Sequence, residues 1–479
     1  MLFNSLDFAI FFPIVFILYW FVFNRNLKWQ NFLVAGASYV FYGWWDWRFL
    51  SLILFSTLVD YAVGKQLDKT NKNSERKILL WISILVNLGF LGFFKYYNFF
   101  LDNFKSAFSF FGSEINASSL DIILPVGISF YTFQTLSYTI DVYKKRLEPS
   151  RDFISFMAYV SFFPQLVAGP IERATNLLPQ FYKHRKFKYP EAVNGMRQIL
   201  WGLFKKIVIA DNCALYANQI FENSADLPGS TLFLGALFFT FQIYGDFSGY
   251  SDIAIGTARL FGFNLMQNFA FPYFSRDIAE FWRRWHISLS TWFRDYLYIP
   301  LGGSRGGIWM KVRNTFIIFL VSGFWHGANW TFIVWGALNA IYFLPLLLMK
   351  KNRQNIEVVA YNSLFPNVKE LFNMLLTFSL TVFAWVFFRA ENIGHAFDYL
   401  NRIFSLSILE KPELFPKELL FLLVMFVIME WLGRKGEYAI ERISFGLPKP
   451  FRWVTYAFLV IFIFLFNSSS NVEFIYFQF

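Results

Sequence analysis

The longest uncharged run of this chain covers residues 314–349, where Lys, Arg, Asp and Glu are all absent. At about 1.5 Å per residue, these 36 residues would form a helix of about 54 Å, whereas the hydrocarbon core of a bilayer is about 30 Å thick. A straight helix of this length is too long for one crossing of the membrane. The sequence therefore predicts two shorter or broken segments with a break at residues 323–327. Broken backbone at membrane depth is tolerated only where protein or an aqueous cavity surrounds it. We therefore expect the break, which contains His326, to face a cavity.

Apolar runs recur along the whole chain. Hydrophobic residues make up 56% of the 479 residues and charged residues only 16%, against about a quarter charged in soluble domains. The runs are solidly apolar, which disfavours the alternating strands of a membrane barrel. The sequence predicts an all-α polytopic integral membrane protein with roughly 10–13 membrane segments, some of them re-entrant or broken. We expect one membrane domain over residues 1–479, with apolar runs near residues 3–23, 31–46, 49–63, 78–100, 122–141, 153–170, 192–213, 230–262, 314–349, 369–389, 417–433 and 452–467.

Basic residues cluster in loops that alternate with the apolar runs, at residues 65–77, 144–151 and 183–188. The first two clusters fall on the same side, and the opposing loop at 101–121 is poor in Lys and Arg. The positive-inside rule makes that side cytoplasmic and places the N-terminus outside. Only the run 153–170 separates the second and third clusters, so it either dips into the membrane and returns or contains two short crossings.

The net charge of +11 is explained by these clusters, and we expect membrane lipids rather than nucleic acid as partners. The N-terminal apolar run lacks the basic start and cleavage site of a signal peptide, so it is predicted to be a retained first transmembrane helix. Cys213 is the only cysteine, which excludes an intramolecular disulfide and a cysteine metal cluster. The chain also lacks a His-Glu-x-x-His zinc pattern, so no metal and no bound cofactor are expected.

A charged, aromatic stretch at residues 275–307 precedes the uncharged run. On a helical wheel its large apolar residues, Trp285 among them, form one stripe, and Arg276, Glu280, Arg283 and Arg294 lie opposite. The pattern predicts one amphipathic helix that ends before Pro300 and either lies at the membrane interface or lines a funnel. His286 falls on the flank between the two faces.

Several ionisable residues lie at predicted membrane depth, where such groups usually face cavities, pair with opposite charges or serve function. Asp246 either faces a cavity and serves a function, or it forms an ion pair with Arg259, Lys205 or Lys206. A transporter or flippase of polymer precursors could also use such groups, although the chain lacks the internal repeat that many transporters show. The candidates for that alternative are Asp60, Lys95, Asp141, Lys205 and Asp246.

Two motifs, "FWRRWHISLSTWFRDYLYIPLGG" at 281–303 and "GFWHGANWTFIVWGALNA" at 323–340, resemble the membrane-bound O-acyltransferase (MBOAT) family. Within it, the resemblance is to bacterial members that O-acetylate exported polysaccharides such as alginate or peptidoglycan. Stretches at 124–143, 162–173 and 202–212, and the tail at 474–479, fit the same group. The resemblance implies an MBOAT-like helical bundle around a central funnel or tunnel. Its core motif region would be about 122–345, with peripheral helices at 1–101 and 369–479.

The resemblance also implies a function. The protein would lie in the bacterial cytoplasmic membrane and take an acyl group from a cytoplasmic thioester, with acetyl-CoA as the expected co-substrate. Transfer to the polymer would require a separate periplasmic or extracytoplasmic acetyltransferase or a polymer-export partner. D-alanyl or other acyl transfer to a cell-envelope polymer stays open as an alternative.

His326 corresponds to the family's key histidine and His286 to the second characteristic position. An uncharged imidazole can accept the proton of an attacking hydroxyl, so we expect His326 to be the general base. His286, a backbone N–H or an arginine would steady the oxyanion or position the donor. Without the resemblance, His326 could equally be a packing residue. Arg283, Arg284 and Arg294 are candidates for donor binding or, alternatively, for lipid headgroups, and Trp325, Trp285, Asp246 and Asn329 are candidate tunnel or supporting residues.

Overall fold

The computed structural model describes residues 1–112, 115, 117–167, 169–446, 448–467 and 474–475, with residues 443–446 described by their backbone alone. Across these residues the chain forms helices and connecting turns without a β-strand, which confirms the predicted all-α class. The chain packs as two compact units, Met1–Ala192 with Thr257–Leu265 and Val193–Gly256 with Met266–Phe479. The single membrane domain that the sequence suggested stays a prediction. Parts of the predicted 101–121 loop and of the tail motif at 474–479 lie outside the described residues.

The first unit is built from helices that pack around α6, with α3 and α4 against it. Asp60 of α3 is buried there and accepts hydrogen bonds from the side chains of Asn87, at 2.9 Å, and Thr139, at 3.0 Å. This buried carboxylate is therefore satisfied by polar neighbours in its own unit. The helices are α1 (Leu6–Ile17), α2 (Leu27–Gly43), α3 (Leu50–Lys69), α4 (Asn73–Leu91), α5 (Tyr97–Phe110), α6 (Ile128–Tyr143), α7 (Phe153–Ser161), α8 (Phe163–Leu166) and α9 (Ala174–Leu177).

The predicted apolar run 153–170 is interrupted. Its first helix, α7, has nine residues and ends at Ser161, and α8 begins two residues later. At about 1.5 Å per residue, α7 is about 13 Å long, far short of the hydrocarbon thickness. A break in this run is what the basic loops on both sides of it indicated.

The second unit contains the remaining helices and both candidate histidines. A π-helical segment, Phe204–Ala210, joins α10 to α11, and α19 and α21 pack against it. The helices are α10 (Tyr189–Leu203), α11 (Asp211–Glu222), α12 (Gly229–Leu260), α13 (Ile278–Arg284), α14 (Ile287–Phe293), α15 (Ile308–His326), α16 (Trp330–Leu348), α17 (Val368–Arg389), α18 (Ile393–Ile403), α19 (Lys417–Gly433), α20 (Ala439–Gly446) and α21 (Lys449–Leu465). The unit boundaries fall within α10 and α12.

The long uncharged run folds as the antiparallel pair α15 and α16, which confirms the predicted break. α15 ends at His326, and α16 begins at Trp330. Glycines let the two backbones approach closely: a Cβ at Gly323 would overlap the carbonyl oxygen of Phe332, and a Cβ at Gly336 would overlap that of Phe319. The glycines of this motif therefore set the distance between the helices that flank His326.

The single amphipathic helix predicted for residues 275–299 is wrong. α13 ends at Arg284, and His286 has φ +43° and ψ 55°, in the left-handed region, before α14 begins. Contacts with an adjacent segment replace helical hydrogen bonds: Ile287 N–H donates to the carbonyl of Asn268, and Ala270 N–H donates to that of Arg284, both at 2.9 Å. A wheel drawn from sequence cannot include these tertiary bonds.

Among the described residues, four helices are long and apolar enough to cross a membrane: Trp47–Lys69, Asn73–Phe110, Trp330–Leu348 and Val368–Arg389. Shorter apolar helices lie at Leu6–Val22 and Phe153–Leu166. These helices support an integral membrane protein, and the predicted 10–13 segments stay a prediction.

Candidate active site

His286 forms the break between α13 and α14, with 1% of its surface exposed. Its Nδ1 lies 3.1 Å from Oδ1 of Asn268. The backbone N–H of Ser288 also points at this Asn268 atom, at 3.3 Å, and a backbone N–H can only donate. The Asn268 atom is therefore the oxygen, and Nδ1 of His286 carries the proton that it donates. Nε2 then holds the lone pair, and it has no hydrogen-bond partner among the described residues.

Burial also determines the charge of His286, which lies outside the helices long enough to cross a membrane. Desolvation lowers the pKa of its imidazole from 6.5 to about 3. Because the folded pKa lies below the unfolded one, the unfolded chain binds more protons between these two values. Stability therefore falls as the pH drops through that window, and the contribution is constant above it. At neutral pH the ring is an uncharged base.

His326 ends α15 and is 3% exposed. Its ring packs against the rings of Trp325, Trp335 and Phe388, with centroids 4.9, 5.2 and 5.3 Å away. A Cβ at the following residue, Gly327, would overlap the ring of Phe332. The imidazole is thus held in an aromatic cage at the turn between two helices.

Trp325 contacts both histidines, since its ring lies 6.2 Å from that of His286 and 4.9 Å from that of His326. A second aromatic path leads from Trp285 through Trp385, at 5.1 Å, to Trp335, at 5.5 Å, which in turn contacts His326. The structure therefore brings both candidate catalytic residues into one aromatic cluster, with Trp285 and Trp325 as parts of its walls.

A cavity of about 220 Å³ is lined by Trp282, whose ring lies 5.7 Å from that of Trp335 in this cluster. Neither histidine is among the described residues that line the cavity. Ser290, one turn after His286 in α14, and Ser322, one turn before His326 in α15, both line it. Arg294 and Arg353 line it too, and the remaining lining side chains are mostly apolar or aromatic. This combination suits a ligand that has both an apolar portion and negative charge.

Of the three predicted donor-binding arginines, only Arg294 is among the described residues that line the cavity. Arg283 donates to two backbone carbonyls of the loop at 352–355, both at 2.8 Å. Arg284 pairs with Glu280 at 2.8 Å and donates to the carbonyl of Glu357 at 3.1 Å. Arg283 and Arg284 therefore tie the loop after α16 to α13, and their contact with a donor stays a prediction.

Asp246 belongs to a buried ion cluster. Nζ of Lys206 lies 2.8 Å from Asp246 and 2.7 Å from Asp211. The backbone N–H of Ile475 donates to the second carboxylate oxygen of Asp246 at 2.7 Å. The next residue of α12, Phe247, places its ring 4.6 Å from the ring of His286. Asp246 thus anchors the helix that supports His286, and of the cations suggested by the sequence it uses Lys206.

Asn329 supports the turn after His326. Its Oδ1 accepts the N–H of Thr331 at 3.0 Å, which caps α16, and its Nδ2 donates to the carbonyl of Glu391 at 2.8 Å. An Asn in this position satisfies one of the free N–H groups at the start of a helix. It therefore fixes the geometry of the turn that holds His326.

The sequence gives no signal that marks Asn268 or Arg353 as site residues, and it misplaces Glu280. Asn268 lies in "MQNFAFPYF", where a single amide gives no spacing signal, and Arg353 is one of several basic residues that directly follow the uncharged run. On the helical wheel Glu280 lies opposite the apolar stripe, but in the structure it is 1% exposed and pairs with Arg276 at 3.1 Å as well as with Arg284. Arg276, Glu280 and Arg284 follow one another at intervals of four residues, and this spacing is a sequence signal that indicates the pairing.

Residues 148–387 match the MBOAT, membrane-bound O-acyltransferase family, and this range contains both histidines, Trp325, Arg294 and Arg353. The match covers half of the chain. The protein belongs to this family, as its motifs suggested, and it is a membrane-integral O-acyltransferase.

Individual proteins of known name are also similar to this chain. A probable alginate O-acetylase of Azotobacter vinelandii is 40% identical over 418 residues, covering 86% of this chain and 81% of that protein. A peptidoglycan O-acetyltransferase of Helicobacter pylori is 35% identical over 436 residues, covering 85% of this chain and 80% of its own length. A teichoic acid D-alanyltransferase of Bacillus subtilis is 25% identical over 286 residues, covering 57% of this chain and 71% of that protein.

Proposed function

We propose that the protein takes an acetyl group from a cytoplasmic thioester, acetyl-CoA, for the O-acetylation of an exported cell-surface polysaccharide of the alginate or peptidoglycan type. The observation that supports this most is the pair of buried histidines that share Trp325 next to a cavity lined by Arg294 and Arg353. Imidazoles supply proton transfer, and arginines suit the phosphates of a coenzyme A donor. The polymer class comes from the names of the relatives.

In this reaction His326 accepts the proton of the acceptor hydroxyl while the hydroxyl oxygen attacks the thioester carbonyl. The C–S bond then breaks, and the departing thiolate recovers the proton from the imidazole. The tetrahedral intermediate requires a hydrogen-bond donor or a positive charge near its oxygen. Acetyl-CoA is a co-substrate in this scheme, and no resident cofactor or metal takes part.

The proposed location is the bacterial cytoplasmic membrane with the N-terminus outside. Its basis is the distribution of Lys and Arg, which favours the cytoplasm for the loops at 65–77 and 144–151. The donor would then reach the site from the cytoplasm, and a separate extracytoplasmic acetyltransferase or polymer-export partner would complete the transfer to the polymer.

D-alanyl transfer to a cell-envelope polymer is a second candidate. The similarity to the teichoic acid D-alanyltransferase of Bacillus subtilis favours it, although that similarity covers 57% of this chain. The two candidates differ in the acyl group and its carrier, and they share the same acyl-transfer chemistry.

The direct test is a transfer assay with the purified full-length chain in lipid nanodiscs. With acetyl-CoA labelled in the acetyl group, we expect thiol release and labelling of an added alginate or peptidoglycan fragment, with the extracytoplasmic partner included. A carrier-bound D-alanyl thioester, supplied in a parallel reaction, is expected to be a poor donor. Use of D-alanine in preference to acetyl would favour the second candidate, and inertness towards both would refute the proposed function.

Replacing Arg294 by Gln is expected to raise KM for acetyl-CoA about 3–10-fold with little change in kcat, since an exposed ionic contact contributes about 1 kcal/mol. Arg294 lines the cavity, and its side chain is 58% exposed next to Asp295. The effect should shrink at high salt. Arg48→Gln is the matched control, because Arg48 is 59% exposed and also pairs with a near neighbour, Asp46. An equal change in both variants would argue against a donor site at Arg294.

A further inference from the structure

Asn268 is fully buried and uses both ends of its side-chain amide. Its Oδ1 faces Nδ1 of His286 at 3.1 Å, the hydroxyl of Ser288 at 2.8 Å and the N–H of Ser288 at 3.3 Å. Its Nδ2 donates to Oγ of Ser251 at 2.9 Å. A rotated amide would point its N–H groups at the Ser288 N–H, a contact between two donors. The amide orientation is therefore fixed by backbone geometry and not by His286 itself.

We propose that Asn268 is a positioning residue that locks His286 in the tautomer with the proton on Nδ1, so that Nε2 accepts a hydrogen bond from the bound substrate. This inference rests on the proposed function, and it assigns a role that the sequence left open. In this tautomer, neutral His286 has no N–H at Nε2 to donate to an oxyanion. Its task is then to hold a reactant in place.

The surroundings of His286 favour a substrate as the missing partner. The neighbouring elements present the rings of Phe247, Phe269 and Trp325, with centroids 4.6, 6.3 and 6.2 Å away, and the uncharged side chains of Asn268 and Ser288. None of these groups titrates near neutral pH, so burial alone keeps the ring neutral. A buried acceptor without a partner is costly, and active sites are where such atoms are retained.

The group that Nε2 accepts from must be a polarised N–H or O–H. Two reactants supply one: the acyl thioester donor carries amide N–H groups along its arm, and the acceptor carries the hydroxyl that becomes acylated. The shared chemistry is a single hydrogen-bond donor placed against Nε2, and kinetic measurements can distinguish the two sources.

The tautomer can be measured without any enzymatic reaction. Nitrogen-15 NMR of the full chain with labelled histidine in nanodiscs distinguishes protonated from unprotonated ring nitrogens, and the His286 signals are those lost in His286→Gln. We expect a protonated Nδ1 and an unprotonated Nε2 at pH 7. Asn268→Asp should keep this tautomer, because a carboxylate accepts from Nδ1 and the Ser251 hydroxyl can turn to donate to it. A proton on Nε2 in the wild-type protein would overturn the proposal.

Kinetics test the consequence for substrate binding. We expect Asn268→Ala to lower kcat/KM about 10–100-fold, the scale known for losing the hydrogen-bond partner that orients a metal-binding histidine. Asn268→Asp should recover most of this loss. A carboxylate next to the ring raises the pKa of His286. Nε2 would then become protonated at a higher pH than in the wild type. The acid limb of the pH profile of Asn268→Asp should therefore shift to higher pH.

Asn31→Ala is the matched control for a purely structural loss. Asn31 is also buried, and its amide accepts from Arg185 at 2.6 Å and donates to a serine, Ser155, at 3.0 Å. We expect it to lower the yield of folded protein without changing the pH profile or either KM. Unchanged kinetic constants and pH profile in folded Asn268→Ala would overturn the proposal.

The two substrate sources give different results in Asn268→Ala. A rise in KM for the thioester identifies the donor N–H, and a rise in KM for the polymer fragment identifies the acceptor hydroxyl. Both support the proposal. If the wild-type chain transfers no acyl group at all, the proposed function fails, while the NMR measurement still decides whether Asn268 sets the tautomer.

Discussion

The His326→Ala variant is expected to lose acyl transfer by about 10²–10⁴-fold, the usual contribution of a positioned general base. The caged imidazole is the group proposed to remove the hydroxyl proton, and alanine leaves no base at the turn between α15 and α16. The loss should appear in kcat and kcat/KM alike, because the interaction is made in the transition state. The measurement is steady-state transfer from labelled acetyl-CoA by protein that elutes as a folded monodisperse species.

Two further variants separate chemistry from packing. His326→Gln keeps most of the side-chain volume against Trp325, Trp335 and Phe388, and it should be as inactive as the alanine variant. His395→Ala removes a half-buried histidine that contacts Ser224 at 3.0 Å, and it should retain normal transfer. Near-normal transfer by folded His326→Gln would leave His326 as a packing residue.

The break that contains His326 could be predicted because it follows from length and charge alone. Thirty-six uncharged residues exceed one crossing, and the glycines at 323 and 327 mark where the chain turns. The structure ends α15 at His326 and begins α16 at Trp330. This prediction does not depend on tertiary contacts, because the thickness of the bilayer limits the length of any helix that crosses it.

The break at His286 could not be predicted in the same way. Residues 278–296 keep a helical period of apolar side chains, and the wheel assumes that backbone hydrogen bonds stay within the helix. In the structure, Asn268 takes the N–H groups of Ile287 and Ser288 and turns His286 into the left-handed region. A segment that lies eighteen residues earlier in sequence thus overrides the local pattern. The same limit explains the wrong exposure of Glu280, whose arginine partners depend on packing.

The environment of Asp246 lies between these cases. The sequence places an acidic residue at membrane depth, and it indicates that this residue either pairs with a cation or serves a function. Only the structure shows that Lys206 lies against both Asp246 and Asp211. The same holds for the candidate active site. The sequence motifs predict the two histidines, but they do not predict the residues that orient them.

The Lys206→Met variant is expected to lose about 3–5 kcal/mol of stability, the scale measured for removing one partner of a buried ion pair. The Lys206 side chain is 1% exposed and those of Asp211 and Asp246 are 10% and 2% exposed, so two carboxylates would be left facing each other without their cation. Because Asp246 precedes Phe247, which packs on His286, transfer activity should fall with stability. The measurement is thermal unfolding in nanodiscs, followed by tryptophan fluorescence.

Variants that remove a carboxylate charge should affect stability less than the variant that removes the cation. Asp246→Asn leaves Lys206 paired with Asp211 and removes one of two like charges, so its loss should be clearly smaller than that of Lys206→Met. Adding Asp211→Asn and Asp246→Asn to Lys206→Met should recover part of the stability, since a neutral cluster has no charge to desolvate. Lys417→Met, at the exposed start of α19, controls for the loss of a lysine. Equal losses in Lys206→Met and Asp246→Asn would contradict the role of unpaired charge, because Asp246→Asn leaves no carboxylate without its cation.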